Sequence, residues 1–168
     1  MASDTIGLYD VSGLFLSPAR LSNNVVALSN LSVTLQDNRL QTMEKHYHLG
    51  LLCFVHLLIK ADGITDQTEL EALEKIKAGE NVPADAVQEF EQWVVGKAEP
   101  EIYRYGLGHL RECTEVEKLR VFAILYKLSE IDGRVHTQEL RMLLYSVKTA
   151  GVAFNEVVDF ARSQPRMF

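Results

Sequence analysis

The sequence lacks the features that would indicate a disulfide framework, a secretory signal or a membrane span. It has only 2 cysteines in 168 residues, and Cys53 and Cys113 fit no close-spaced metal or redox motif. Its longest apolar run, residues 49–59, is too short to cross a bilayer and contains His56. The N-terminus has no basic segment of the kind that opens a secretory signal. We therefore expect a cytoplasmic protein without a membrane span.

Positive charge is also scarce. Lysine and arginine number 17 against 23 acidic residues, which gives a net charge of −6 and a pI near 5.4. Such a chain repels a phosphate backbone on average, so we expect no nucleic-acid partner. No histidine pair has the i, i+4 spacing of zinc hydrolases, and no nucleophile elbow or glycine-rich phosphate loop occurs. We therefore expect no catalytic residue.

A tract of the chain occurs twice. Residues 55–90 align without a gap on residues 125–160, at a constant offset of 70 positions. Repetition at a fixed period predicts repeated structural units, here helical units of about 36 residues. The identical pairs are Leu58/Leu128, Asp62/Asp132, Gly63/Gly133, Glu69/Glu139, Leu70/Leu140, Leu73/Leu143, Val82/Val152, Val87/Val157 and Phe90/Phe160.

Apolar spacing predicts helices throughout residues 41–168. Residues 40–61 are apolar on most sides, which predicts the central, buried helix of a bundle. Capping boxes at Asp66–Glu69 and Thr114–Glu117 mark two later helix starts, and further helices are expected near 83–96, 102–111, 137–150 and 155–163. The sequence thus predicts an all-α, single-domain bundle of seven or eight helices, built from two pseudo-repeated units.

Residues 1–40 form an N-terminal extension of uncertain structure. Leu31, Val33 and Leu35 alternate with polar residues as in a strand. Leu21 and Val25 join Leu31 and Leu35 in a stripe at helical spacing. The pattern leaves both interpretations open, and the all-helical remainder of the chain favours a helix over residues 20–36.

The repeated turn reads KADGITDQTE at residues 60–69 and EIDGRVHTQE at residues 130–139. An apolar helix that ends in Ala-Asp-Gly, followed by a helix that opens on glutamate, resembles the TerB-like family when it is found twice. That family includes the tellurite-resistance protein TerB and the N-terminal region of the co-chaperone DjlA. The resemblance covers about residues 44–163, and it implies a helical fold and an acidic, metal-binding face. The second copy departs from the family pattern at Ile131 and His136.

A calcium-binding EF-hand is a poor explanation of these turns. Its loop has Asp, Gly, an aliphatic residue and Glu at positions 5, 6, 8 and 12, and the copy that begins at Asp132 matches all four. Position 1, however, would be Leu58 or Leu128, which cannot coordinate a cation. Position 3 of the first copy would be Lys60, which repels one. Because half of the ligand set is absent, we reject this interpretation.

Two explanations of Asp62, Glu69, Asp132 and Glu139 remain. In the structural one, each aspartate lies between two helix ends and each glutamate completes an N-terminal cap. In the functional one, the two turns meet and pool their four carboxylates around Ca²⁺, Mg²⁺ or Mn²⁺, since such hard cations prefer oxygen ligands. A divalent cation is the only cofactor that we consider.

The preferred functional hypothesis is a non-enzymatic bacterial stress-response module of the tellurite-resistance type, which engages a cation or a protein partner through the acidic turns. A metal-independent, co-chaperone-like interaction scaffold is the second hypothesis. A metal-dependent hydrolase that uses the four carboxylates is the third. A homodimer is compatible with all three. An acidic run is interpreted as a solvated face or as a docking face for a basic partner: Glu69, Glu71, Glu74, Glu80, Asp85, Glu89 and Glu91.

Overall fold

A computed structural model describes residues 40–61, 67–130 and 137–164 of the chain. The chain divides into two units, Met1–Leu40 and Gln41–Phe168, and apart from Leu40 the described residues belong to the second. The predicted caps and turns at residues 62–66 and 131–136, and the alternatives for residues 20–36, lie outside the described residues.

The described residues form seven helices and no strand, which confirms the all-α prediction. None of these helices combines the length and the apolar character needed to cross a bilayer. Helix α1 covers residues 40–59. It is followed by α2 (Gln67–Gly79), α3 (Ala84–Val94), α4 (Glu99–Arg111), α5 (Glu115–Leu128), α6 (Thr137–Thr149) and α7 (Phe154–Ser163).

Helix α1 is the central helix that its composition predicts. Every residue from Tyr47 to Ile59 is buried except His56. The ring of Phe54 meets the rings of Tyr103 on α4 and Phe122 on α5 edge-on, with centroids 5.5 and 5.9 Å apart. A helix that is apolar on most sides must be surrounded by others, and these contacts show two of its neighbours.

Helix α4 crosses α1 at very short range because glycine lies at the crossing on both helices. A Cβ atom on Gly106 would lie 2.7 Å from Cβ of Cys53, and one on Gly50 would lie 2.9 Å from the side chain of Leu110. A Cβ atom on Gly108, two residues further along α4, would have no neighbour within 4 Å. Gly106 therefore permits close packing, although glycine weakens a helix interior.

Helix α5 is the second buried helix, and it packs against α2, α6 and α7. It begins with the predicted capping box. The amide of Glu117 donates to the hydroxyl of Thr114 at 3.3 Å, and the carboxylate of Glu117 accepts from the amide of Thr114 at 2.7 Å. Two otherwise unpaired backbone donors are satisfied in this way.

The helix bounds follow the sequence repeat. Helix α6 begins and ends 70 positions after α2, and α7 begins 70 positions after α3. After α2 and after α6 the chain turns through a left-handed residue, Asn81 (φ 51°) and Gly151 (φ 76°) respectively. In both turns the next amide donates to the carbonyl five residues earlier, at 2.9 and 3.1 Å, which is a Schellman motif. Superposition of the two halves stays a prediction.

Candidate functional site

A cavity of about 400 Å³ opens where α1 ends and where α4 and α6 begin. It adjoins both repeated turns in the chain, since Ala61 directly precedes Asp62 and Gln138 directly precedes Glu139. The residues that line it are Leu57, Ala61, Glu99, Pro100, Tyr103, Gln138, Arg141 and Met142.

The local sequence explains why α4 and α6 begin at this cavity. Pro100 lies in the first turn of α4, where its missing N–H removes no helical hydrogen bond. The carboxylate of Glu101 accepts from the amide of Ala98 at 3.2 Å and so satisfies one free donor of that turn. Acidic residues occupy the first turns of α4 and α6, among them Glu99 and Glu139. The partial positive charge of a helix N-terminus stabilises carboxylates there.

The cavity wall contains one unsatisfied polar group. The hydroxyl of Tyr103 is buried and has no hydrogen-bond partner among the described residues. Its ring lies against Phe54 and, at a centroid distance of 5.7 Å, against the exposed ring of Tyr145. A buried hydroxyl without a partner costs free energy. The same wall carries the exposed, cationic Arg141, so the site offers both signs of charge.

Two of the four predicted metal ligands, Asp62 and Asp132, lie outside the described residues. The other two open equivalent helices: Glu69 is half-buried in the first turn of α2, and Glu139 is 6% exposed in the first turn of α6. Each takes part in a hydrogen-bonding or electrostatic interaction. Within the described ranges, no three His, Cys, Asp or Glu side chains are grouped to hold a metal.

A second polar cluster was not predicted from the sequence. The carboxylate of Glu80 accepts from the hydroxyl of Tyr47 at 2.6 Å and from Arg120 through two bonds of 2.7 and 3.0 Å. Burial, together with the bond to Glu80, raises the pKa of Tyr47. The hydrogen bond to Glu80 raises the pKa of Arg120. The assignment of Glu80 to a solvated acidic face was wrong, because its side chain is only 8% exposed.

The histidines make further contacts. His46 on α1 and His109 on α4 hydrogen-bond through their Nδ1 atoms at 2.9 Å. Burial, and next the proximity of His46, lowers the pKa of His109. His56 is half-buried in α1, and its ring meets Phe90 edge-on at 5.5 Å.

Comparison of the chain with protein families, with curated proteins and with solved structures finds no match in any of the three. The resemblance to the TerB-like family therefore rests on the repeated turn and on the helical pattern around it. The functional conclusion has to come from the residues and the cavity described above.

Proposed function

We propose that this chain is a non-enzymatic docking module of the TerB-like type, and that its two acidic turns act together as one site. The observation that carries the proposal is the shared cavity: Ala61, next to the first turn, and Gln138, next to Glu139, line the same 400 Å³ space. The resemblance suggests a bacterial stress response of the tellurite-resistance type as its setting. No catalytic residue is assigned.

The ligand that suits such a site is a divalent cation held by carboxylates, with a protein partner completing the assembly. Asp62, Asp132, Glu69 and Glu139 supply the oxygen donors, and Ca²⁺, Mg²⁺ and Mn²⁺ prefer such donors. The cation would offset the repulsion among the four carboxylates that bind it. An acidic protein partner could then approach a surface that would otherwise repel it.

Calorimetric titration with Ca²⁺, Mg²⁺, Mn²⁺ and Zn²⁺ tests the cation. The wild type should bind at least one of the first three, and an Asp62→Asn/Asp132→Asn variant should not. An Asp85→Asn/Asp159→Asn variant is the matched control. It removes the same charge from the exposed first turn of α3 and the exposed face of α7, and it should bind as the wild type does. If the wild type binds none of Ca²⁺, Mg²⁺ and Mn²⁺, the cation assignment is contradicted.

One observation favours a second candidate, a metal-independent interaction scaffold. Leu144 and Tyr145 on α6 are 42% and 64% exposed, and Tyr145 adjoins the cavity through Tyr103. Exposed apolar groups beside a concave site are typical of protein interfaces. A partner captured from a lysate of the native host distinguishes the two candidates. Capture that EDTA and the double aspartate variant abolish supports the cation-assisted module, whereas capture that only Tyr145→Ser abolishes supports the scaffold.

A further inference from the structure

A second concavity lies among α1, α2 and α3. We call it the α1–α3 cleft, and its volume is about 260 Å³. Its walls are apolar, with Leu52 and Ile59 from α1, Leu73 from α2, and Val87 and Phe90 from α3. Around this apolar interior stand Lys60, Lys77, Leu70 and Glu91. A mostly apolar space with a few charged groups at its edge is the usual character of a small-molecule site.

The sequence repeat provides an internal comparison for this cleft. At four positions 70 residues later, on α6 and α7, the side chains are buried completely or nearly so, and the matching side chains of the cleft are partly or fully exposed. Phe90 differs from these four, because it is buried and its counterpart Phe160 is half-buried. The cleft residues compared are Leu73, Lys77, Val87 and Glu91, and their counterparts are Leu143, Val147, Val157 and Ala161.

Two replacements account for the difference in burial. Val147 and Ala161 are small and apolar, so they can be enclosed at no electrostatic cost. Lys77 and Glu91 carry charges, which keep the end of a side chain at the surface unless it is paired. At these four positions the second unit encloses its side chains, whereas the first unit leaves them partly open at the surface of the cleft.

The charges at the cleft favour an anionic group. Lys60 is exposed and has no carboxylate partner among the described residues. Lys77 forms an ion pair with Glu74 at 2.8 Å. Glu91 on α3 is exposed to solvent. Burial, with a further contribution from Lys60, lowers the pKa of His56, so this imidazole is neutral at pH 7. Lys60 is thus the cation left to receive a ligand's charge.

We propose that the α1–α3 cleft binds a small amphiphile with an unbranched alkyl chain and one carboxylate, the chain lying between α2 and α3 and the carboxylate at Lys60. The volume sets the length: a cavity of about 150 Å³ holds benzene, so 260 Å³ accommodates roughly ten carbon atoms. The cleft shares no lining residue with the 400 Å³ cavity that Ala61 and Gln138 line.

Decanoate is the probe for the test, with decanol as its uncharged analogue. Calorimetry should show saturable, one-to-one binding of decanoate to the wild type. Leu70→Trp places an indole at the cleft, and it should weaken binding at least tenfold. Leu144→Trp is the matched control, because Leu70 and Leu144 are equally exposed, at 44% and 42%, and only Leu70 lines the cleft. The control should bind decanoate as the wild type does.

The carboxylate contact is tested separately. Lys60→Gln should weaken decanoate binding several-fold and leave decanol binding unchanged, whereas Lys75→Gln, on the exposed part of α2, should change neither. Both substitutions lie on the surface, so folding is retained even if a tryptophan variant is unstable. Amide NMR shifts in the wild type should map decanoate to Leu73, Val87 and Phe90.

Three results would overturn the proposal. The first is the absence of saturable decanoate binding. The second is equal binding by Leu70→Trp and Leu144→Trp, or NMR shifts that fall on α5 and α7 instead. The third is a wild-type dimer that Leu70→Trp converts to a monomer in sedimentation experiments, because the cleft would then belong to a second copy of the chain.

Discussion

Glu80 illustrates, at the scale of single residues, how one side chain joins three helices. It lies just past α2, accepts a hydrogen bond from Tyr47 on α1, and holds Arg120 on α5 through both carboxylate oxygens. The backbone carbonyl of the same residue lies 3.2 Å from Nε2 of His48. Such a carboxylate is difficult to replace, because its loss leaves a buried hydroxyl and a guanidinium without their partner.

Replacement of Glu80 should therefore cost far more stability than replacement of an exposed carboxylate. We expect Glu80→Ala to lower the free energy of unfolding by about 2 kcal/mol, since partly buried charge-assisted bonds are lost. The matched control is Glu74→Ala, whose carboxylate pairs with Lys77 on the surface and is 71% exposed; it should cost about 0.5 kcal/mol or less. Urea unfolding measures both, and equal losses would show that the Glu80 cluster contributes nothing special.

The half-buried histidines His56 and His109 predict a stability that falls in mild acid. Burial lowers the pKa of His109 and of His56, with smaller contributions from His46 and Lys60 respectively. The unfolded chain therefore takes up protons near the ordinary histidine pKa of about 6.5, before the folded chain does. The free energy of unfolding is therefore highest above that pH. It declines as the pH falls from there towards the lower pKa values of the folded state.

Urea unfolding between about pH 7.5 and pH 5.5 measures this decline, because carboxylates contribute little there. A His56→Gln/His109→Gln variant should show a flatter dependence of unfolding free energy on pH than the wild type. Lys75→Gln, an exposed substitution that leaves both histidines in place, should retain the wild-type slope. If the unfolding free energies of the wild type and of the double histidine variant depend on pH in the same way, the decline does not come from His56 and His109.

The residue contacts were the part of the structure that the sequence could not predict. Glu80 and Arg120 are 40 positions apart, and His46 and His109 are 63 apart. Local periodicity carries no information on pairs at such separations, which depend on how helices cross. A run of acidic residues is typical of a solvated face, so nothing local distinguished Glu80 from its neighbours.

Prediction was most successful at the scale of the helices, because apolar spacing and capping residues act locally. The Thr114–Glu117 box marks the start of α5 in the structure as in the sequence. The end of α1 was less certain: the helical residues stop at 59, two residues before the predicted bound at Ala61. The close crossing at Gly106 could not be predicted, because the local sequence around a helical glycine does not show whether another helix contacts it.

Gly106 and Gly108 provide a matched test of that crossing within one helix. Gly106→Ala should lower the free energy of unfolding by about 1–3 kcal/mol, because its Cβ would overlap Cys53 on α1. Gly108→Ala meets no neighbour and should raise stability by up to about 1 kcal/mol, since alanine is the better helix former. Thermal and urea unfolding of the two variants measure the difference. Effects of the same sign would contradict the packing described for α1 and α4.

The two copies of the repeated sequence differ at the scale of the whole molecule. Helices α2 and α6 have equivalent bounds, α3 and α7 begin at equivalent positions, and the chain turns through a left-handed residue after α2 and after α6. Their interiors differ, because Lys77 and Glu91 stand where the second unit has Val147 and Ala161. The repeat in the sequence predicted helical units of this kind. It could not predict that one interior would remain open, which depends on burial.

The candidate site was predictable only in part for the same reason. The repeat identified the two acidic turns, and their carboxylates were apparent from the sequence. The neighbours that complete the cavity, Glu99, Tyr103 and Arg141, come from α4 and from the outer side of α6. Nothing in the spacing of α4 associates it with Ala61 or Gln138, because that proximity depends on how the helices pack.

The joint action of the two turns is tested most directly by NMR of the ¹⁵N-labelled chain with substoichiometric Mn²⁺. A bound paramagnetic ion broadens the amide signals of residues close to it. If both turns hold one cation beside the shared cavity, the signals of Ala61, Glu99 and Gln138 should broaden together. That broadening should disappear in the Asp62→Asn/Asp132→Asn variant. Broadening beside one turn alone, or along the acidic run of α2 and α3, would contradict a common site.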